Sequence, residues 1–181
     1  MGSNFPDSIP VDQCPNEPAT TPNGCPDPDA DHDGLVGAAD RCPREAETKN
    51  GYQDDDGCPD TLPEKVKKFS GVVAGIEFDT GQATIRATSR PTLDEAVAVL
   101  KEYPALRIAI SGHTDNAGDR AKNLALSAAR AESVKAYLVS QGVAASRVET
   151  HGAGPDAPVA DNKDAAGRQK NRRIEFKLLS Q

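Results

Sequence analysis

From Lys65 onward, apolar and polar positions recur with regular periods. Ile76 and Phe78 flank the polar Glu77, the two-residue period of a half-buried strand. Leu93, Ala96, Val97 and Leu100 follow Ser89 and Pro91 at helical spacing, which predicts a capped amphipathic helix that stops before Pro104. Leu106, Ile108 and Ile110 alternate again, giving a second strand that ends at Ser111-Gly112. Leu124, Ala128, Ala131, Val134 and Leu138 share one face of a long helix, and Gly142 supplies its C-terminal stop. Val148 and Thr150 predict a short third strand before His151-Gly152, and Ile174, Phe176 and Leu178 a last one. The order is βαβαββ. Strands joined through helices normally run parallel with right-handed crossovers. The expected fold class is therefore α/β, a small sandwich with helices on one side of a mixed sheet.

The first 63 residues show no such period. They hold most of the prolines and many glycines, and cannot bury a core that would offset their ordering entropy. Charge divides the chain at the same place. Residues 1–63 carry 14 of the 28 acidic and 3 of the 21 basic residues, a net of −11, whereas 64–181 carry the other 14 and 18, a net of +4. Two modules are expected, 1–63 and 64–181, with different partners. The basic module is too weakly charged, and too mixed in sign, for nucleic acid. Aromatic residues make up 4% of the chain and Trp is absent, which disfavours an aromatic sugar platform.

All four cysteines, Cys14, Cys25, Cys42 and Cys58, lie in the acidic module. An even count in a short, core-poor segment reads as disulfides formed in an oxidising compartment. Sequential pairing, Cys14–Cys25 and Cys42–Cys58, closes the smallest loops of the three possible pairings. A zinc site is the rival, disfavoured because no short C-x₂₋₄-C pair is present. No export signal and no apolar run of membrane length occurs, and Met1-Gly2-Ser3 reads as a cloning remnant. The chain is expected to be a fragment, with the export signal and a membrane part lying upstream.

The acidic module contains Asp29-x-Asp31-x-Asp33-Gly34-x₅-Asp40. Acids at every second position followed by Gly let a short loop curl around a calcium ion, which takes six to eight oxygens. Asp29, Asp31 and Asp33 take positions 1, 3 and 5, the Leu35 carbonyl position 7 and Asp40 position 12. No long helices flank the loop, so it is not an EF-hand. The alternative is a solvated acidic linker. Through Asp29, Asp31, Asp33, Gly34, Asp40, Cys42 and Pro43 the segment resembles thrombospondin type 3 repeats, with Gly37 standing where the family usually has an acid. The resemblance implies Ca²⁺ as the bound ion, with weakened binding at the lost position. Asn50 to Cys58 resembles a degenerate second unit, whose Asp54 and Asp56 would complete a shared site.

In the basic module the second strand runs into Gly112-His113-Thr114-Asp115-Asn116. Asn123-Leu124, Leu126-Ser127, Arg130-Ala131, Val134, Gly142-Val143 and Asn171-Arg172-Arg173-Ile174-Glu175 follow. Together, over about Val72 to Leu178, these resemble the OmpA-like peptidoglycan-binding domain. The resemblance implies non-catalytic binding of the meso-diaminopimelate of the peptidoglycan stem peptide, with Asp115 and Arg130 as the paired charges. Diaminopimelate ends in an ammonium and a carboxylate on one carbon. A strand-end carboxylate suits the ammonium, and a guanidinium suits the carboxylate through forked bonds. Asn123 and Thr114 add polar contacts. Arg172 either lines the site or fixes the last strand. The alternative for Asp115 and Arg130 is a mutual structural ion pair. The Phe78-Asp79-Thr80-Gly81 loop lacks an Asn that some relatives place there. His113 reads as a polar loop histidine, and no hydrolase signature such as G-x-S-x-G or H-E-x-x-H is present.

These readings imply an anchor between the outer membrane, reached through an upstream region, and the cell wall, working at the periplasmic face with a calcium-stiffened spacer. A calcium-dependent adhesin and a cell-wall-processing enzyme are the alternatives. Chelator-dependent wall pull-down separates the adhesin from the anchor, and muropeptide release separates the enzyme.

Overall fold

The computed structural model describes residues 25–179. They form two compact units, one of 25–48 with Gln53–Asp60, the other of Lys49–Tyr52 with 61–179.

The larger unit is a four-stranded mixed sheet with helices packed against it. Its elements are α1 (Glu64–Lys67), β1 (Gly71–Val72), α2 (Arg90–Glu102), β2 (Arg107–His113), α3 (Arg120–Ser140), β3 (Val148–Gly154), α4 (Ala165–Asn171) and β4 (Ile174–Leu179). The strand order is β1-β4-β2-β3. β2 and β3 run parallel, joined through α3, and β4 lies antiparallel between β1 and β2. The predicted apolar positions meet in one core. Leu93, Ala96 and Leu100 of α2, Ala131, Val134 and Leu138 of α3, and Ile108, Ile110, Ile174 and Phe176 of the sheet are all buried. Asp119 caps α3 by accepting a hydrogen bond from the Lys122 amide, and Gly142, at φ 96°, ends the turn that follows the helix.

The N-terminal half of α3 presses its backbone onto the ends of β2 and β3. A Cβ at Gly112 would stand 2.1 Å from the Ser127 carbonyl oxygen, and one at Gly152 2.7 Å from the Ala128 amide nitrogen. Glycine at these two positions lets the helix approach closely enough to hold Asn123 and Arg130 over the strand ends.

Three local expectations are corrected. The first strand is Gly71–Val72, not the stretch around Ile76 and Phe78, which is irregular apart from one bridge between Phe78 and Ile85. The chain leaves the sheet after the Val73 amide bonds the Ile174 carbonyl, and Gly75, at φ 85°, redirects it, although Ile76 still reaches the core. Ser89 does not cap α2. It is helical and fully buried, and its hydroxyl bonds the amide and carbonyl of Glu77, pinning the irregular loop instead. A fourth helix, α4, precedes the last strand. It buries Gly167 and Asn171 rather than an apolar stripe, so no hydrophobic period announces it.

Residues 49–52 join this unit, with the Tyr52 ring packed edge-on against Tyr103 at 5.9 Å.

The smaller unit contains, among its described residues, one 3₁₀ turn at Gly37–Ala39 and no strand or α-helix. Short loops closed by carboxylates organise it. Asp31 accepts from the Asp33 amide, Asp33 from Leu35, Asp40 from Cys42 and Asp56 from Cys58. A Cys42–Cys58 disulfide with a Cα separation of 5.0 Å staples it. In the chain-entropy picture a loop of this size contributes about 3 kcal/mol. Cys14, and with it the Cys14–Cys25 pairing, lies outside the described residues. The buried side chains of the described unit are Asp33, Asp40 and Glu47, all acids.

Candidate functional site

A cavity of about 620 Å³ opens where four segments of the larger unit converge. β2 and the loop after it bring His113, Thr114 and Asp115, α3 brings Asn123 and Arg130, the loop before α2 brings Phe78 and Thr80, and the end of α4 brings Arg172 and Arg173. The five residues expected to bind ligand, Thr114, Asp115, Asn123, Arg130 and Arg172, thus line one cavity.

Asp115 and Arg130 do not bond each other. One carboxylate oxygen of Asp115 accepts from Arg172 Nη1 at 2.6 Å, and the other accepts from the Ala117 amide at 3.0 Å. The alternative of a mutual ion pair is not realised, because Arg130 is held elsewhere. Its Nε donates to the Gln82 carbonyl at 3.0 Å, and its guanidinium lies 5.0 Å above the Phe78 ring. It makes no other hydrogen bond among the described residues, so the terminal nitrogens of the fork remain available. Arg130 is only 8% exposed. Burial, and secondarily the Arg172 charge, hold its guanidinium below the usual range against the opposing pull of Asp115. It stays a cation regardless.

Asn123 lines the cavity and also sets the loop, since its Nδ2 donates to the Ala117 carbonyl at 2.9 Å. Thr114 anchors through its amide to the Gly154 carbonyl, while its hydroxyl is buried without a hydrogen-bond partner. His113 is not a loop residue. It closes β2, is 4% exposed, and sits 3.5 Å from Glu175 with neither ring nitrogen hydrogen-bonded. Burial, with the Arg173 charge, lowers its pKa, and Glu175 opposes the shift. Arg173, nearly buried, is fixed by Glu175 at 2.7 Å and the Ala157 carbonyl. Sequence reasoning did not single out Gln82 or Phe78 as partners of Arg130. Gln82 acts through its backbone, which carries no side-chain signature. Phe78 reads as a strand residue, because it alternates with Ile76.

In the smaller unit, Asp29, Asp31 and Asp33 bring one carboxylate oxygen each to within 4.8 Å of one another. Leu35 follows, its amide bonded to Asp33. Asp40 lies outside that trio and packs against Gly57. Asp56 accepts from Arg41 at 3.2 Å. Asp29, Asp31 and Asp40 carry buried oxygens that accept no hydrogen bond among the described residues. Unpartnered buried carboxylate oxygens, all hard donors, suit an oxygen-seeking divalent cation such as calcium and offer none of the thiolates that structural zinc sites use. Burial, with Asp60, Asp56 and Asp54 nearby, raises the Glu47 pKa, and the Thr48 amide opposes the rise.

A model of the OmpA family matches residues 77–172, a segment that contains every cavity-lining residue named above except Arg173. The chain is 43% identical over 103 residues to the probable lipoprotein YiaD of Escherichia coli, covering 57% of this chain and 47% of that protein. Outer membrane porin F of Pseudomonas aeruginosa is 35% identical over 151 residues, 83% of this chain and 41% of the porin, so that match reaches into the acidic unit. The crystal structure of the peptidoglycan-associated lipoprotein from Burkholderia pseudomallei superposes with a TM-score of 0.54 at 31% identity, covering 61% of this chain and 90% of that one. The chain spans less than half the length of the two curated relatives.

Proposed function

The chain belongs to the OmpA family, and on that premise we propose that it anchors the bacterial envelope to peptidoglycan by holding the diaminopimelate of the stem peptide without making or breaking bonds. The observation that carries this reading is the presentation of Asp115 and the unengaged fork of Arg130 to a single cavity of about 620 Å³. Asp115 takes the ligand's ammonium in place of, or alongside, Arg172. Arg130 takes the carboxylate on the same carbon, pre-aimed by the Gln82 carbonyl and the Phe78 ring. Because the guanidinium is already held at its Nε and across its face, little side-chain entropy is lost on binding. Thr114 offers its buried hydroxyl to the same group.

The work takes place on the periplasmic face of the outer membrane, as the names of the lipoprotein and porin relatives suggest, with 64–181 as the wall-binding part. The acidic part, 1–63, serves as a spacer of thrombospondin type 3 character. Asp29, Asp31 and Asp33, with the Leu35 carbonyl and Asp40, hold calcium, and Asp54 and Asp56 complete a shared site. Calcium supplies positive charge to a segment that otherwise buries only acids.

Competition tests the wall-binding part of this reading. A free stem peptide that carries meso-diaminopimelate, at millimolar concentration, is expected to release the protein from sedimented walls. A peptide ending before the third residue should release none. Full retention on the wall in saturating stem peptide would show that attachment runs through another surface.

A further inference from the structure

Both oxygens of the Asp115 carboxylate are engaged before any ligand arrives. Oδ2 accepts from Arg172 Nη1 at 2.6 Å and Oδ1 from the Ala117 amide at 3.0 Å. Arg172 follows the last residue of α4 and donates its other terminal nitrogen to Gln169, which also lines the cavity. Its guanidinium therefore stands where the ligand's ammonium is to go. The remaining charges of the cavity wall are already matched. Arg173 is bonded to Glu175 at 2.7 Å. Arg86 lies between Asp79 at 3.2 Å and Glu77 at 3.8 Å, on roughly half-exposed side chains where water screens them.

Binding an amino-acid end at the clamp brings three cations, the ammonium, Arg130 and Arg172, against two carboxylates, that of Asp115 and that of the ligand. One positive charge is left unmatched at the cavity. Arg172 is the group free to answer it, because its side chain is 38% exposed, whereas Arg130 is fixed by the Gln82 carbonyl and the Phe78 ring. We propose that Arg172, with Gln169 beside it, takes a further carboxylate of the stem peptide once the ammonium displaces it from Asp115. The inference rests on the wall-binding reading and adds a second anion subsite to it. Two carboxylates of the peptide offer the same chemistry. The glutamate before diaminopimelate is joined through its side chain and keeps its α-carboxylate free, and the peptide's C-terminus supplies the other. A guanidinium receives either through forked bonds.

Calorimetric titration of the whole chain with three diaminopimelate stem tetrapeptides tests this. One is unmodified, one is amidated at the glutamate α-carboxylate, and one is amidated at the C-terminus. One amidation is expected to weaken wild-type binding about three- to tenfold, a charged contact discounted for partial exposure, and the arm that does so identifies the carboxylate. In Arg172→Gln that ratio of affinities should fall to about one. Its affinity for the amidated peptide should equal or exceed the wild type's, because the competing cation has left Asp115. A merely structural role for Arg172 would instead weaken all three peptides alike and overturn the proposal. Arg172→Lys, which keeps the charge, should retain part of the ratio and supplies the comparison if the glutamine variant folds poorly. Wild-type binding unaffected by either amidation, or a ratio unchanged in Arg172→Gln, would also overturn the second anion subsite while leaving the clamp in place. No binding of the unmodified peptide by the wild-type chain would overturn both.

Discussion

Replacing Asp115 or Arg130 by alanine is expected to abolish sedimentation with purified diaminopimelate-type peptidoglycan while far-ultraviolet circular dichroism stays that of the wild type. Arg130 is nearly buried and its terminal nitrogens make no hydrogen bond among the described residues, so its loss removes a ligand contact and leaves the ligand carboxylate desolvated and unpaired. Truncating one partner of such a buried charged contact costs about 2–5 kcal/mol. At about 1.4 kcal/mol per factor of ten, micromolar binding falls beyond detection by sedimentation. Asp115 pairs with the partly exposed Arg172, a contact of small worth to the fold, so its loss should spare stability and remove the ammonium site. Arg130→Lys should recover little, since an ammonium reproduces neither the forked geometry nor the stacking on Phe78. Sedimentation of both alanine variants at wild-type level would rule out the clamp.

Chelation should split the behaviour of the two units. With calcium removed, protease sensitivity between Pro26 and Pro63 is expected to rise sharply, because the acidic segment carries a net charge of −11 and the smaller unit buries no apolar side chain among its described residues. The Cys42–Cys58 disulfide limits extension but does not cancel repulsion. Calcium should bind toward the weak end of the range, about 10⁻⁴–10⁻³ M, as in extracellular modules. At a hundredfold excess over such a constant, binding to the folded form alone adds about 2.7 kcal/mol per site. The fragment after Glu64 should stay resistant and still sediment with walls, since no cavity residue lies in the acidic part. Absence of calcium uptake by calorimetry would return the segment to a plain acidic linker. Loss of wall binding on chelation would mean that the units act together.

Most of the larger unit could be read from periodicity, because its helices and central strands bury one continuous set of apolar side chains. What escaped was held by other means. α4 is organised by the Asp164 cap and by Asn171, whose amide bonds the backbone of 159–160, so it offers no apolar stripe. The stretch at Ile76 alternates like a strand but is turned away by a left-handed glycine and pinned by Ser89. The clamp residues were legible as a motif, while their actual bonding was not. The partner of Asp115 is Arg172, 57 residues along the chain, and that of Arg130 is a backbone carbonyl.

The claim that Arg130 reads the second carboxylate of the stem residue is tested most directly by calorimetric titration with two matched muropeptides. One carries meso-diaminopimelate at the third position, and the other carries lysine, which lacks that carboxylate. Loss of one good charged hydrogen bond, about 1.5–3 kcal/mol, predicts binding to the lysine form at least tenfold weaker, and the difference should vanish in Arg130→Ala. Equal affinity of the wild-type protein for both muropeptides would contradict the account.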